Sequence, residues 1–284
     1  MELKIIKDNS LIDNFIFNAS ENELQILNYA VAITNPYWDK NDRVYKISIS
    51  ELVQVYGGKN NKRAWEQYRS ALYRLQVRTY SFYVHKEKRT EPLIKQAREH
   101  MEDKTYLAFV FNDYVANRLQ NLRGFFTKYD IKNIVKFSSR YAFLLYEFFK
   151  MKLQQLDGVY TQKIEAALFK ENLNITDKYS RFSNLKDFVL IPAKTQINKH
   201  SDINLDYQVI KTGRTPTHIK FTAKYKKKAQ PKELDKELEN KTAKPVEQQT
   251  QLPLDEEQST TVGFTEKHKA TSKPHLDNLK QKWI

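Results

Sequence analysis

An order of elements that the chain shows twice is the feature that most constrains its fold. Each time a capped apolar helix comes first, and a second helix, a tight turn, a third helix and two alternating strands follow. The first pass covers residues 20–112 and the second covers residues 138–225. Two helices and a hairpin of this kind bury their apolar faces against one another in a small unit. The repetition therefore predicts two tandem units of one type.

The first pass carries clear start and stop signals. Its predicted elements are a helix over Ser20–Ile33 opened by a capping box of Ser20 and Glu23, a turn over Asn35–Arg43, a strand over Tyr45–Ile49, a second helix capped by Ser50 and ended by Gly57 and Gly58, and a third helix opened by Asn60 and Asn61. The predicted buried face of that third helix consists of Trp65, Tyr68, Leu72 and Leu75.

Two strands follow this third helix, over Val77–Val84 and Thr105–Asn112, with a charged connection between them. A hairpin that comes after a helix-turn-helix is typical of a wing, which tracks the DNA backbone or the minor groove. The first unit is therefore predicted to be a winged helix.

The second pass repeats this order with a more apolar opening. Its predicted elements are a helix over Tyr141–Leu156 preceded by Ser138 and Ser139, a helix over Lys163–Leu173, a turn over Asn174–Ser180, a further helix with a buried face of Phe182, Leu185, Phe188 and Val189 that Pro192 kinks, and a hairpin with strands over Leu205–Val209 and Ile219–Tyr225 around a turn at Thr212–Pro216. The predicted fold class is therefore α+β, with two tandem winged-helix domains.

The composition changes near Ala229. From there onward the chain is poor in aromatic residues and rich in Lys, Glu, Gln, Thr and Pro, so it cannot bury enough surface to offset the entropy of ordering. The predicted domains are an N-terminal winged helix over 1–133, a C-terminal winged helix over 134–228 and a disordered polar tail over 229–284.

Positive charge is concentrated in the predicted folded part. The formal net charge is +14, and the tail contributes nine lysines against ten acidic residues, so the first 228 residues carry +15. Such a field attracts polyanions, either nucleic acid or an anionic membrane surface. A membrane-surface protein would need a basic amphipathic helix with an exposed apolar face. The apolar faces predicted above are used by the core, which favours nucleic acid.

The second unit contains the best candidates for contacts with base edges. A helix-turn-helix places the N-terminal residues of its second helix in the major groove. Arg181 suits bidentate contact with guanine and Asn184 suits adenine, because those side chains match those base edges. The full predicted set in this unit is Tyr179, Ser180, Arg181, Ser183, Asn184 and Lys186 on the helix, and Lys211, Arg214, Thr215, Thr217 and His218 on the wing.

The first unit offers basic side chains of a different character. Lysine-rich helix faces more often hold phosphates than read bases. We therefore expect positioning contacts from Asn60, Lys62, Arg63, Arg69 and Arg74.

Enzymatic chemistry finds little support in the sequence. The chain has no cysteine, and its six histidines never form the His-x-His pair that would hold the metal of a rolling-circle initiator. The Gly57–Lys59 stretch lacks the first glycine of a phosphate loop and the Ser or Thr after the lysine. We expect no enzymatic activity, no cofactor and no metal site.

The chain carries neither a signal-peptide core at its N-terminus nor an uncharged stretch long enough for a membrane span. The expected location is the cytoplasm.

The succession of these features resembles the Rep-type initiators of iteron plasmids, over about residues 8–225. The stretches that carry the resemblance are NSLIDNFIFNASENELQILNYAVA, NNKRAWEQYRSALYRLQVRTY, SSRYAFLLYEFFKMK and YSRFSNLKDFVLIPAKTQINKHSDINLDYQVIKTGRTPTHIKF. The resemblance implies two winged-helix domains related by pseudo-symmetry. It also implies that monomers bind direct repeats in double-stranded plasmid origin DNA, promote melting and recruit the host initiator and the replicative helicase.

The same resemblance implies a homodimer in equilibrium with the monomer, which forms through the first domain, binds an inverted repeat and represses its own gene. A winged-helix transcriptional repressor without a role in replication is the alternative, because a fold does not determine a function. In the predicted tail, QLPLD at Gln251–Asp255 is similar to the motif by which replication proteins bind the sliding clamp, but it lacks the terminal Phe. A plain disordered tail is the other interpretation.

Overall fold

The computed structural model describes residues 3–13, 19–34, 44–57, 62–84, 87–99, 105–120, 125–156 and 158–227. It has the predicted α+β class, with helices and strands interspersed along the chain. The predicted turn over Asn35–Arg43 and the predicted tail from residue 229 lie outside the described residues.

The first half of the described chain contains five helices and seven strands. They are β1 (Lys4–Asp8), α1 (Asn9–Asp13), α2 (Glu21–Ile33), β2 (Val44–Ser48), α3 (Ile49–Tyr56), α4 (Lys62–Val77), β3 (Thr79–Val84), β4 (Glu87–Pro92), β5 (Ile94–Glu99), β6 (Tyr106–Phe111), α5 (Asp113–Gln120) and β7 (Phe126–Asp130). A short 3₁₀ turn over Ile131–Asn133 leads into the second half.

The second half begins with the long apolar helix. Its elements are α6 (Arg140–Gln155), β8 (Val159–Glu165), α7 (Ala166–Asn172), α8 (Phe182–Leu185), a π-helical segment (Lys186–Leu190), α9 (Ile191–His200), β9 (Ile203–Thr212) and β10 (Thr215–Tyr225). Helix α8, the π segment and α9 are continuous, and they are called the α8–α9 run below.

The two passes share one sheet topology. In the first unit the strand order is β2-β6-β5, and in the second it is β8-β10-β9, so each time the early strand pairs with the last one. All of these pairs are antiparallel. The tandem repetition predicted from the order of elements is therefore present in the strand order as well.

Several elements of the first unit begin, end or pack as the sequence predicts. The capping-box residues Ser20 and Glu23 open α2, and the Glu23 carboxylate accepts a hydrogen bond from the Ser20 backbone N–H at 2.7 Å. Gly57 ends α3 at a φ of +73°, a left-handed conformation that favours glycine. The buried face of α4 includes Tyr68 and Leu72, whereas Trp65 is only half-buried.

Three predictions for the first unit were wrong. The strands predicted over Val77–Val84 and Thr105–Asn112 do not form a hairpin with each other, because β3 pairs with β4 and β6 pairs with β2 and β5. Ser48, not Ser50, caps α3 and accepts a hydrogen bond from the Glu51 backbone N–H, because Ile49 belongs to the helix and not to the strand. The charged connection predicted over residues 85–104 contains β4 and β5. These strands form because β4 pairs with β3 and β5 pairs with β6, and buried Leu93 lies at the corner between them.

The second unit corrects two further predictions. Lys163–Glu165 lies in β8 and not in a helix, since these residues pair with β10. Phe188 was predicted to be buried, but its side chain is 60% exposed. The π segment explains the difference, because its wider turn places buried residues at intervals of four. These residues are Leu185, Val189, Ala193 and Ile197.

The buried side chains of both units form one continuous core. A polar cluster lies beside this core where the N-terminal strand meets α6. Lys7 of β1 donates hydrogen bonds to Glu147 of α6 (2.5 Å) and to Asn28 of α2 (2.7 Å). Tyr129 of β7 also donates to Glu147, and burial together with that carboxylate raises the pKa of the Tyr129 hydroxyl. The cluster therefore joins elements of both halves of the chain.

Candidate nucleic-acid interface

The α8–α9 run follows a tight turn over residues 174–180. Asn174 and Tyr179 both adopt left-handed backbone conformations there, each with a φ of +54°. The turn thus reverses the chain after α7 and directs it into the run. This is the helix, turn and helix that the sequence predicts for the second unit.

Pro192 lies within the run, at the second residue after the π segment. A proline has no N–H to donate and its ring collides with the carbonyl four residues earlier, so it disrupts a regular α-helix. The wider turn of the π segment accommodates both effects, and the helix continues to His200. Such π turns are frequent at functional sites.

The polar face of the run is defined by Ser183, Asn184 and Lys186 together with Arg181, the N-cap residue of α8. Asn184 is half-buried and the other three side chains are exposed, on the side away from the buried residues. In the part of the chain that the structure describes, none of the four side chains has a hydrogen-bond or ion-pair partner. Their donors and acceptors are therefore available to a ligand, as are those of exposed Ser180 just before the run.

The wing ends in a two-residue turn of Gly213 and Arg214, between the paired residues Thr212 and Thr215. Gly213 has a φ of +61°, which matches the glycine-first turns that join two strands of a hairpin. The side chains of Lys211, Arg214 and Thr215 are exposed around this tip.

Two further wing residues are less available. Thr217 and His218 are half-buried, and the His218 imidazole lies 3.0 Å from the Thr217 hydroxyl. The Thr217 hydroxyl also lies 3.2 Å from that of Thr212. Both side chains therefore support the wing.

Tyr179 is held in place by two aromatic neighbours. Its hydroxyl lies 3.2 Å from the Tyr141 hydroxyl of α6, and its ring stacks on Phe188 with centroids 6.0 Å apart. Burial and the hydrogen bond with Tyr179 raise the pKa of Tyr141. The predicted DNA contact at Tyr179 is thus half-buried, whereas Phe188, for which the sequence predicted no contact, is exposed.

Arginines of the first unit are engaged within the protein. Arg69 of α4 donates to both carboxylate oxygens of Glu99 on β5, at 2.5 and 2.8 Å, and this pairing raises the pKa of Arg69. Arg74 donates to Glu23 at 3.0 Å, and Arg78 donates to the same carboxylate at 3.2 Å.

The remaining basic candidates of the first unit stand at the start of α4. Lys62 and Arg63 are exposed and have no ion-pair partner within the described residues. Asn60, the other predicted contact, lies outside those residues. The structure thus separates the predicted set of this unit into two free cations and two paired arginines.

Sequence reasoning missed two residues of the α8–α9 run, Asp187 and Phe188, which are exposed between the polar face and Ile191. The apolar residues Leu185, Val189 and Ala193 are spaced four apart, and this spacing continues across Pro192. It is the signal that could have revealed the two exposed residues.

The described residues lack two features that would point to other functions. No helix in them is long and apolar enough to cross a membrane. The same residues contain no group of three or more His, Cys, Asp or Glu side chains that could hold a metal ion.

Comparisons with known proteins agree with this architecture. A curated replication initiation protein of Escherichia coli is 25% identical over 255 residues, which cover 86% of this chain and 75% of that protein. The solved structure of the Pi initiator protein in complex with iteron DNA superposes with a TM-score of 0.66 at 20% identity, over 80% of this chain and 98% of that one. At this level of identity, the superposition supports the fold.

Two family models match consecutive parts of the sequence. The model described as Initiator Replication protein, WH1, matches residues 4–150, and the model described as Initiator Rep protein, WH2, matches residues 167–223. The domain boundaries after residues 133 and 228 stay predictions, and the first match extends into α6. Because these matches cover most of the described chain, the protein belongs to the initiator replication protein family, with tandem winged-helix domains.

Proposed function

We propose that this chain initiates replication of a plasmid by binding direct repeats in the origin through its second winged-helix unit. The polar face of the α8–α9 run is the observation that carries the proposal. Its four side chains have unused hydrogen-bonding capacity, and they lie opposite a buried stripe at the start of a helix. A helix in this position of a winged helix enters the major groove.

Within this proposal, the side chains have different roles. Arg181 donates two hydrogen bonds to a guanine, and Asn184 exchanges two with an adenine. Lys211 and Arg214 at the wing tip neutralise phosphates, while Ser180, Ser183 and Lys186 complete the contacts along the run. The Pi initiator, whose fold this chain shares, was solved in complex with iteron DNA, and that supports double-stranded repeats as the ligand.

In this proposal, the first unit positions the protein on the DNA backbone. Lys62 and Arg63 contact phosphates, and the paired arginines of α4 stabilise the unit instead of reading bases. Family membership supports the later steps, which are melting of adjacent DNA and recruitment of the host initiator and helicase. A dimer formed through the first unit binds an inverted repeat and represses the chain's own gene.

Footprinting of the purified protein on the DNA that flanks its gene tests the proposal. The measurement is made at physiological salt with competitor DNA, because affinity without a stated salt concentration has no meaning for such proteins. Protection of tandem direct repeats of similar sequence is expected. Protection confined to one inverted repeat at the promoter would contradict a replication role and would leave a transcriptional repressor.

A matched variant strengthens the experiment. Arg181→Ala is expected to remove the protection of the repeats while leaving weak coating of random duplex at high protein concentration. The control is Lys95→Ala, which removes an exposed cation paired with Asp113 in the first unit and should preserve the footprint. Loss of protection in both variants would assign the footprint to general charge and not to the polar face.

A further inference from the structure

Phe188 is an exposed aromatic residue in the middle of the proposed DNA-binding helix. Its side chain is 60% exposed, and its neighbours Lys186 and Asp187 are charged and exposed. The buried stripe of the run, which includes Leu185 and Val189, leaves this ring outside the core. A large apolar group at this place has a free energy cost in water unless a ligand covers it.

We propose that the Phe188 ring recognises the C5 methyl group of a thymine in the major groove, and so acts as a specificity-determining residue of the site described above. The inference rests on the proposed binding of duplex DNA by the α8–α9 run. It assigns a contact that no basic or amide side chain of the polar face can make.

The position of Phe188 along the run supports this role. In this run, residues four apart lie on one face, as the buried residues Leu185, Val189 and Ala193 do. Phe188 is four residues after Asn184, which is proposed to contact a base, and Arg181 is the N-cap residue of the same run. A ring in this register continues from Asn184 toward the next base pairs of the groove.

The ring is also held in a defined orientation. It stacks on Tyr179 with an interplanar angle of 20°, and the Tyr179 hydroxyl is bonded to that of Tyr141. Tyr179 adopts a φ of +54°, which a bulky residue rarely adopts. The surrounding contacts therefore fix Tyr179, and Tyr179 in turn supports one side of the Phe188 ring and leaves the other side open.

The exposed charges of the second unit identify the occupant. Arg181 at the start of the run and Lys186 within it are cations, and the wing tip adds Lys211 and Arg214. These four cations outnumber Asp187, the exposed acid next to the ring, which suits a polyanion. The thymine methyl is the apolar group that a polyanionic duplex presents in its major groove, and aromatic side chains contact it there.

Deoxyuridine scanning tests the proposal, since deoxyuridine differs from thymidine only by the absence of this methyl group. Each thymine of one protected repeat is replaced in turn, and the dissociation constant is measured for the full-length protein. The wild-type protein is expected to lose about fourfold in affinity at one or two positions, as for removal of one buried methyl group.

The variant Phe188→Ala provides the decisive comparison with the wild-type protein. It should bind the unmodified repeat more weakly than the wild type, and it should no longer respond to deoxyuridine at the sensitive positions. Phe125→Ala is the matched control, because Phe125 is an exposed phenylalanine of the first half of the chain. That control should keep the full thymine dependence.

Two outcomes would overturn the inference. If Phe188→Ala retains the wild-type response to deoxyuridine at every position, the ring does not contact a thymine methyl. If Phe188→Ala leaves affinity for the repeat unchanged, the exposed ring belongs to another interaction, such as a protein contact. Failure of the proposed function would give a different result, because footprinting would then show no protected direct repeats.

Discussion

The helices α4 and α8–α9 occupy equivalent positions in the two units, but their basic residues are used differently. In α4, Arg69 and Arg74 are bound to carboxylates of the same unit. In the α8–α9 run, Arg181 and Lys186 have no partner within the described residues. The same topology thus supports internal pairing in one unit and an open polar surface in the other.

The Glu23 carboxylate explains why the first unit needs its arginines. Its side chain is 0% exposed, and a buried charge is unfavourable unless it is paired and hydrogen-bonded. Glu23 accepts hydrogen bonds from the Ser20 backbone, Arg74 and Arg78. The equivalence of α4 and the α8–α9 run in topology therefore does not extend to the partners of their basic residues. Four predictions test this difference, from the largest expected effect to the smallest.

Glu23→Ala should lower the free energy of unfolding by about 3 kcal/mol, because it leaves Arg74 and Arg78 without their buried partner and removes half of a capping box. Both arginines reach water in part, so the expected loss is at the low end for a broken buried ion pair. Urea unfolding measures it. The control Glu171→Ala, at an exposed site of α7, should change stability by less than about 0.5 kcal/mol. Equal losses would contradict the structural role of the arginines.

Arg181→Ala should weaken binding to the specific repeat by about 2 kcal/mol while leaving binding to random duplex nearly unchanged. The reason is that a bidentate contact with guanine exists only at the correct base pair. Arg69→Ala is the control in the equivalent helix, and it should affect the repeat and the random duplex alike and only slightly. Titrations of labelled DNA give both constants. If Arg181→Ala weakens binding to the repeat and to random duplex equally, Arg181 contacts a phosphate and not a base.

Gly57→Ala and Gly213→Ala compare one glycine from each unit. Each glycine has a positive φ, and an added methyl group would meet nothing within 4 Å, so only backbone strain is added. Each change should cost about 1 kcal/mol of stability, measured by thermal unfolding. Only Gly213→Ala should also weaken DNA binding, since Gly213 shapes the wing tip. Weaker binding in Gly57→Ala would place α3 in the interface as well.

Lys62→Ala should have the smallest effect, a loss below about 1 kcal/mol that is the same for the repeat and for random duplex. Removal of one phosphate contact should also lower the slope of log affinity against log salt concentration by about 1. Binding measured at several salt concentrations gives this slope. A loss confined to the specific repeat would show that α4 reads bases, and the difference between the units would then be smaller.

Much of the fold was predictable because its signals are local. The capping box at Ser20 and Glu23, the alternation of Ile219–Tyr225 and the glycine at the end of α3 each depend on a few consecutive residues. Strands β4 and β5 were missed because pairing with β3 and β6 makes a charged segment extended, against its own composition.

In the candidate site, too, local sequence patterns predicted only some of the side-chain positions. The spacing of the sequence places Arg181 and Asn184 correctly outside the core, although Arg181 caps the helix and does not lie within it, and it places Phe188 wrongly in the core. A periodicity of 3.6 assumes a regular α-helix, whereas the π segment before Pro192 changes the spacing of buried positions to four. The sequence contained both the proline and the spacing, but the regular 3.6-residue periodicity was applied to them and the wide turn was missed.

By itself the sequence determined the number and type of the units, the order of the helices that the two units share and the identity of the basic candidates. Caps, turns and periodicity act between neighbours, so the chain encodes them directly. Tertiary structure alone decided which cations are free. Arg69 and Arg74 meet their carboxylates across 30 and 51 residues of chain, and such pairs depend on how distant elements pack. Arg181 stays open because packing brings no carboxylate of the described residues to its side of the helix.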